Sequence, residues 1–141
     1  MKYEFEVAGI PKGQPRPRAF AFHGKARMYD PGTAEGWKQS VAVTARQVCP
    51  KTLDGPLSVT LKFFMPRPKS HFGKHGLKPS APYYHAQKPD ADNLAKAVLD
   101  ALTTIGVWRD DAQVCELSIS RNWTCEPFKP GCKVTIETLE T

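Results

Sequence analysis

The chain has 141 residues, of which 40% are hydrophobic, and its formal net charge is +6. This length allows one domain with a single core and is too short for two ordinary domains, so we expect one domain spanning residues 1–141. The hydrophobic share excludes a wholly disordered chain, because its burial can offset the entropy of ordering the backbone. No apolar run approaches the roughly 18 residues needed to cross a bilayer, so we expect a cytoplasmic protein without a membrane partner.

The basic charge is distributed unevenly along the chain. Residues 7–29 contain five Lys and Arg side chains and no acid, and residues 55–89 contain six and again no acid. Five of the fourteen acids lie between Asp90 and Asp111. Basic surfaces hold phosphates, and a compact group of acids can hold a cation against them. The distribution therefore indicates a metal-dependent enzyme that acts on nucleic acid.

The first third of the chain predicts a strand, a loop and a helix. Lys2–Val7 alternates charged and apolar residues, which is typical of a strand with one wet face. The proline-rich segment 11–18 predicts an extended basic loop. Apolar residues then recur at helical spacing up to Val48, so we expect a first helix from Thr33, with Thr33 as its N-cap.

The rest of the chain predicts a second helix among further strands. Leu57–Phe63 alternates as a strand, and residues 67–89 lack any period and predict a long loop that is either functional or flexible. The strongest helical pattern runs from Asp92 to Ile105, and Gly106 stands where a C-cap glycine belongs. Strands are then predicted over 107–108, over 115–120 and around Val134.

The acids between residues 90 and 111 predict a metal site. Asp90 and Asp92 stand at the start of the second helix, where Asp92 can serve as N-cap; for a single acid, capping would be explanation enough. Asp110 and Asp111 follow Gly106 by four and five residues, so a chain that turns back brings them alongside the helix. Convergence would create an oxygen-only site that suits Mg²⁺ or Mn²⁺ better than zinc.

Several alternatives concern the same residues. A calcium loop is excluded because Leu94 and Ala95 replace its ligand and its glycine. Asp92, Lys96 and Asp100 share one helix face, which indicates either an active-site stripe or surface salt bridges. A zinc site at the histidines is disfavoured because glycines interrupt their spacing. The four cysteines show no zinc spacing and are interpreted as buried thiols.

One stretch resembles the RusA-type Holliday junction resolvases. The residues that carry the resemblance span positions 90–114 and read Asp90-x-Asp92-Asn93-Leu94-x-Lys96-x-x-x-Asp100-Ala101-Leu102, then Gly106-x-Trp108-x-Asp110-Asp111-Ala112-Gln113-Val114. The resemblance implies an α+β fold, in which a mixed sheet is packed by two main helices. It also implies a homodimer that cuts a four-way DNA junction symmetrically with Mg²⁺ (or Mn²⁺), in recombination and repair.

The resemblance also implies residue roles. Asp90, Asp92 and Asp111 are expected as metal ligands, Lys96 as a catalytic lysine, and Asp110 as a supporting acid at the metal. The expected DNA-binding residues are basic side chains from the two acid-free segments: Lys12, Arg16, Arg18, Arg27, Arg67, Lys69 and Lys88. Two other functions remain open: a DNA-binding module without catalysis, and a nuclease for flaps or RNA.

Overall fold

Four strands form a mixed sheet in the computed structural model, which describes residues 1–15, 34–124 and 129–140, and the backbone alone of residues 18–22 and 25–29. The sheet strands are β1 (Lys2–Ala8), β4 (Leu57–Met65), β7 (Val114–Trp123) and β8 (Gly131–Thr138), in the order β1-β8-β4-β7. β8 pairs antiparallel with β1 and β4, and β4 pairs parallel with β7. The α+β class with a mixed sheet is therefore confirmed.

Two helices cover one face of this sheet. Helix α1 (Glu35–Val48) buries Trp37, Val41 and Ala45, and helix α2 (Ala91–Ile105) buries Leu94, Val98 and Leu102 among others. These side chains join the alternate buried residues of β4, from Leu57 to Met65, in one hydrophobic cluster. The intervening β4 residues are more exposed, as expected for a sheet that is covered by helices on one face and reached by water on the other.

The helix ends differ in part from the sequence prediction. The N-cap of α1 is Ala34, so the prediction of Thr33 was wrong; Thr33 itself lies outside the described residues. Gly106 has a φ of 86° and donates its N–H to Leu102 and Thr103 carbonyls, which confirms the predicted C-cap. An Arg46 guanidinium from α1 also donates to the carbonyl of Ile105, so both helices are joined at this end.

Several short elements were not predicted. Strands β2 (Arg18–Phe22) and β3 (Lys25–Tyr29) form a hairpin. The long loop contains a 3-10 helix at Lys69–His71 and a small hairpin of β5 (Phe72–Gly73) and β6 (Gly76–Leu77). The strand expected over 107–108 is a single bridge between Leu53 and Trp108. The elements within the long loop have two or three residues and are too short to produce a periodic pattern.

Strand β7 lies at one edge of the sheet, and among the described residues only those near its end have a partner on the outer side. The Tyr83–His85 segment pairs there, through a bridge between Tyr84 and Asn122 and through His85 N–H to the Arg121 carbonyl at 3.1 Å. Along residues 114–120 no strand of the described chain covers the outer side. Leu117 is 44% exposed there, so β7 offers an open and partly apolar edge.

The cysteines divide into buried and exposed thiols. Cys49 and Cys132 are buried, and burial raises the pKa of Cys132 to about 12. Cys115 is exposed, so the prediction of a buried thiol was wrong at that position. The pairing register skips Cys115, because Leu57 faces Val114 and Ser58 already faces Glu116. Cys125 lies outside the described residues.

None of the described helices is both long and apolar enough to span a bilayer.

A test of the β1–β8 contact uses Gly131. A Cβ added to Gly131 would lie 2.3 Å from the Val7 carbonyl oxygen, and backbone atoms cannot yield as a flexible side chain can. We expect Gly131→Ala to lower the free energy of unfolding by about 1–3 kcal/mol or more. Gly36→Ala is the matched control: nothing lies near its added Cβ, and helix propensity predicts a gain of about 0.5–1 kcal/mol. Urea denaturation measures the free energy of unfolding of both variants. A Gly131→Ala variant as stable as the unsubstituted protein would contradict the close approach.

Candidate active site

Asp90 and Asp92 present their carboxylates at the start of α2. Asp90 is the N-cap, with an extended backbone (φ −71°, ψ 156°), and its side chain makes no capping hydrogen bond. The prediction of Asp92 as N-cap was therefore wrong; Asp92 lies in the first turn. Both residues are exposed, and neither forms an ion pair with any residue the structure describes. Two carboxylates that no described residue engages in an ion pair thus stand beside the positive end of the helix dipole.

Lys96 and Asp100 continue the same helix but have different surroundings. Lys96 is exposed and has no ion pair among the described residues. Asp100 pairs with Lys38 of α1, so its carboxylate joins the two helices. The salt-bridge alternative therefore holds for Asp100, but its partner is Lys38 on α1 and not Lys96 on the same helix. It leaves Asp92 and Lys96 available for a bound ligand.

The second acidic pair is held in a 3-10 turn at Asp111–Gln113. Asp110 caps this turn, because its Oδ1 accepts the Ala112 N–H at 2.9 Å while the Gln113 side chain accepts the Asp110 N–H at 3.2 Å. The Gln113 amide also donates to the carbonyls of Leu53 and Gly55. Asp111 is exposed and forms no ion pair with a described residue. Asp110 thus fixes the turn that presents Asp111.

The 3-10 turn lies at the far end of α2 from Asp90. The segment that holds Gln113 also bonds the residues after the helix: Leu53 N–H donates to the Val107 carbonyl at 2.7 Å, and Thr52 Oγ1 donates to the Gly106 carbonyl at 2.8 Å. Helix α2 has 15 residues. At a rise of 1.5 Å per residue, such a helix separates its ends by roughly 20 Å.

The expectation that the three carboxylates meet within one chain is therefore not met. Among the residues the structure describes, no group of three or more His, Cys, Asp or Glu side chains is arranged to hold a metal ion. The donor chemistry nevertheless fits a hard divalent cation at the start of α2, where two exposed carboxylates have no other described ion-pair partner. A complete ligand set needs a further oxygen donor from elsewhere.

Arg121 of β7 holds the segment that leads to Asp90. Its Nη1 donates to the Pro89 carbonyl at 2.8 Å and to the Gln87 carbonyl at 2.9 Å, and lies 3.3 Å from His85 Nδ1. The Gln14 N–H also donates to the Asn93 carbonyl at 3.0 Å, which ties the N-terminal loop to the first helical turn. The carboxylate end of α2 is thus fixed by two separate parts of the chain.

Two histidines, His71 and His85, contribute to the packing of the long loop. His71 and His85 contact the ring of Trp123 edge-on, with centroid distances of 4.8 and 4.5 Å. Burial and the neighbouring Arg121 lower the pKa of His85, so this imidazole is neutral near pH 7. Both rings turn Nδ1 toward a guanidinium, Arg67 or Arg121 respectively. No zinc site is formed by the histidines in the described residues.

The predicted DNA-binding residues differ in their availability. Lys12, Lys69 and Lys88 are exposed. Arg67 is partly buried and donates to the carbonyls of Thr124 and Pro82, so it also holds the long loop. Arg16 lies outside the described residues, and Arg18 and Arg27 belong to strands described by their backbone alone.

Sequence reasoning missed the residues that position the site. Arg121 and Arg67 carry no local signal, because the carbonyls that Arg121 binds are 32 and 34 residues away, and those that Arg67 binds are 15 and 57 residues away. Gln113 did carry one: an Asp followed three residues later by Gln is a capping-box pattern. That pattern would have assigned Asp110 to the turn and left Asp111 as the free acid.

Two comparisons identify relatives of the chain. The sequence profile of a family described as endodeoxyribonuclease RusA matches residues 8–137. The uncharacterized protein YqaN of Bacillus subtilis (strain 168) is 38% identical over 128 residues, which cover 88% of this chain and 89% of that protein. The family match over residues 8–137 includes helix α2 and the acids at either end of it, Asp90 and Asp92 at its start and Asp110 and Asp111 after it. The chain therefore belongs to the RusA endodeoxyribonuclease family.

Proposed function

We propose that this protein is a Mg²⁺-dependent endonuclease that resolves four-way DNA junctions as a homodimer, in recombination and repair in the cytoplasm. The observation that carries the proposal is the pair of exposed carboxylates at the start of α2, which form no ion pair with any described residue, in a chain of an endodeoxyribonuclease family. A cap or a surface salt bridge would have engaged these side chains. Their availability supports a role as ligands of Mg²⁺, or of Mn²⁺ in its place.

The chemistry follows from the groups at this end of α2. A bound Mg²⁺ would polarise the scissile phosphate and lower the pKa of an attacking water. Asp90 and Asp92 would hold the cation, with Asp111 as a third ligand and Asp110 as the residue that supports it. Lys96, one turn after Asp92, would offset the charge that develops on the phosphate.

A two-fold dimer would reconcile these roles with the separation of the acids. Asp90 lies near the Arg121 end of β7, and Asp111 precedes the Val114 end. Those two strand positions are seven residues apart, which corresponds to roughly 23 Å. In an antiparallel pair of β7 strands related by a two-fold axis, the Val114 end of one strand lies beside the Arg121 end of the other. Asp111 of each protomer would then complete the site of its partner.

The edge of β7 suits this arrangement. The stretch left uncovered, residues 114–120, is centred on the exposed Leu117, so pairing it with its own copy would stop where Tyr83–His85 begins to cover the strand. A junction offers two equivalent strands, and a two-fold dimer would present two equivalent sites to them. Lys12, Lys69 and Lys88 would contact the DNA backbone without reading sequence, and Arg16, Arg18, Arg27 and Arg67 are proposed for the same surface.

The first prediction concerns Asp92. Asp92→Asn removes a ligand charge, and we expect cleavage of a synthetic four-way junction to fall by at least about a hundredfold, because several kcal/mol of charge stabilisation are lost. Junction binding in a mobility-shift assay should persist. Asp100→Asn is the control on the same helix, and it should retain most of the activity because Asp100 pairs with Lys38. Full activity of Asp92→Asn would exclude the proposed mechanism.

The same assay separates the other functions. A binding module without catalysis would give no Mg²⁺-dependent nicking by the unsubstituted protein at all. A nuclease for flaps or RNA would cut those substrates faster than the junction. Removal of Mg²⁺ by a chelator should abolish cleavage, and its return should restore it.

A second prediction tests the shared site. Asp92→Asn and Asp111→Asn should each be inactive alone, but co-expression of the two should give mixed dimers with one intact site and one doubly substituted site. We expect these dimers to nick junctions. Asp92→Asn mixed with Asp90→Asn is the control, and it should stay inactive because both sites of the mixed dimer carry a substitution. Failure of the first mixture, with mixed dimers present by mass spectrometry, would assign all three acids to one chain.

A further inference from the structure

A cleft of about 410 Å³ lies next to the start of α2. Three segments contribute to its walls: the N-terminal loop through residues 10–13, the end of β4 and the chain after it through residues 65, 66 and 68, and the segment before α2 through residue 85 and residues 87–89. Trp123, the last residue of β7, contributes to its floor. We call it the Pro89 cleft, because Pro89 lines it and Asp90 is the next residue.

The lining combines apolar surface with positive charge. Ile10, Met65 and Pro89 supply aliphatic contacts, and His85 and Trp123 supply aromatic ones. Lys12 and Lys88 belong to the same lining and are exposed, and the described lining includes no acid. A purely apolar ligand would not need the lysines, and a free phosphate would not need the apolar walls. A nucleotide, with a flat base and an anionic phosphate, satisfies both.

The walls are held in place before any ligand binds. Arg121 holds the carbonyls of Gln87 and Pro89, and Arg67 holds those of Thr124 and Pro82. The backbone of Trp123 also donates to the Tyr83 carbonyl at 2.9 Å. A preformed cleft loses little conformational entropy on binding, so more of the contact energy is available for affinity.

Two residues of the lining, His85 and Gln87, carry polar side-chain groups of the kind that distinguish bases. A guanidinium only donates, so the His85 Nδ1 that faces Arg121 must accept, and the neutral ring carries its proton on Nε2. Gln87 lines the cleft with an amide that both donates and accepts, while its backbone carbonyl is held by Arg121. One fixed donor and one adaptable amide are enough to favour some bases over others.

We propose that the Pro89 cleft binds one unpaired nucleobase from the strand that is cut, next to the scissile phosphate. This inference rests on the proposed function, because it takes Asp90 as part of the site that holds that phosphate. Since Lys88 and Pro89 line the cleft and Asp90 follows them, a base in the cleft brings the adjoining phosphate to the carboxylates. A base beside the branch point can lack a stacked neighbour on one side, so taking it out of its pair costs less there than inside a continuous duplex. The cleft would therefore make cleavage depend on base identity, and position the strand.

The test combines a blocked cleft with junctions that lack one base. Gln87→Trp fills the cleft from an exposed position and keeps the backbone carbonyl that Arg121 holds. Ala86→Trp adds the same bulk at the neighbouring exposed residue, which does not line the cleft. Junctions carry a single abasic nucleotide, moved in turn through the positions around the cleavage point. Binding is measured with Ca²⁺ in place of Mg²⁺, and cleavage in single-turnover reactions.

We expect one abasic position to weaken binding or cleavage by the unsubstituted protein by about tenfold or more, as loss of a stacked base predicts. Gln87→Trp should reduce activity on the intact junction and become insensitive to that abasic position, whereas Ala86→Trp should behave as the unsubstituted protein does. Equal sensitivity to the abasic position in all three proteins would overturn the base site. The urea midpoints of Gln87→Trp and Ala86→Trp are compared first. If they differ, Gln87→Leu replaces Gln87→Trp, and this variant must then show a partial loss of base selectivity.

The two proposals fail in distinguishable ways. If the unsubstituted protein cuts no junction under any condition, the proposed function fails. If it cuts junctions with the same rate for every base and every abasic position, the function stands and the base site is excluded. A 2-aminopurine at the sensitive position gives an independent readout: its fluorescence should change on binding to the unsubstituted protein and to Ala86→Trp, and not to Gln87→Trp.

Discussion

The guanidinium of Arg121 is the contact on which the carboxylate end of the molecule depends. It reaches from the edge strand of the sheet to two carbonyls just before α2, and so converts the last part of a long loop into a fixed approach to the helix. A guanidinium donates several hydrogen bonds in one plane and stays charged, which suits a group that must satisfy several acceptors at once. Without it, the segment just before Asp90 would lose the hydrogen bonds that hold the carbonyls of Gln87 and Pro89.

The second constraint is the length of α2. The helix holds Asp90 and Asp92 at one end, while the capped 3-10 turn holds Asp111 near the other. Hydrogen bonds hold both ends in place. Arg121 and the N-terminal loop bind the first end, and Gln113 joins the second end to the segment at Leu53–Gly55. A metal site that uses all three acids would therefore need two chains, and for this reason the proposed mechanism includes a dimer.

The sequence allowed the main elements to be predicted, and its limits have physical causes. The apolar stripe and Gly106 defined α2, and alternation defined β4, because both patterns are local and repeat several times. The parallel pairing of β4 with β7 was not predictable, since it joins residues almost sixty positions apart. The exposure of Cys115 was missed for a related reason: alternation predicts a buried face, but a pairing irregularity at a sheet edge places one residue outside the register.

For the site, the sequence identified candidate acids but not their relative positions. Spacing suggested that Asp111 returns to the start of α2, whereas hydrogen bonds from Gln113 and Thr52 keep it at the other end. Those bonds involve carbonyls of an irregular segment, which no periodic pattern marks. The roles of Asp90, Asp92, Asp111 and Lys96 remain predictions from the family resemblance, and the described geometry adds that the first two are free to bind.

The two edges of the sheet are chemically unlike. The edge strand β1 carries three charged side chains that disfavour the addition of another strand: Lys2, Glu4 and Glu6. The opposite edge strand, β7, has the apolar side chain of Leu117 exposed. A sheet that accepts a neighbour on one edge and resists it on the other cannot grow into a filament by strand addition. Joining through β7 uses up that edge in both copies, so assembly along the sheet would stop at a closed pair of chains.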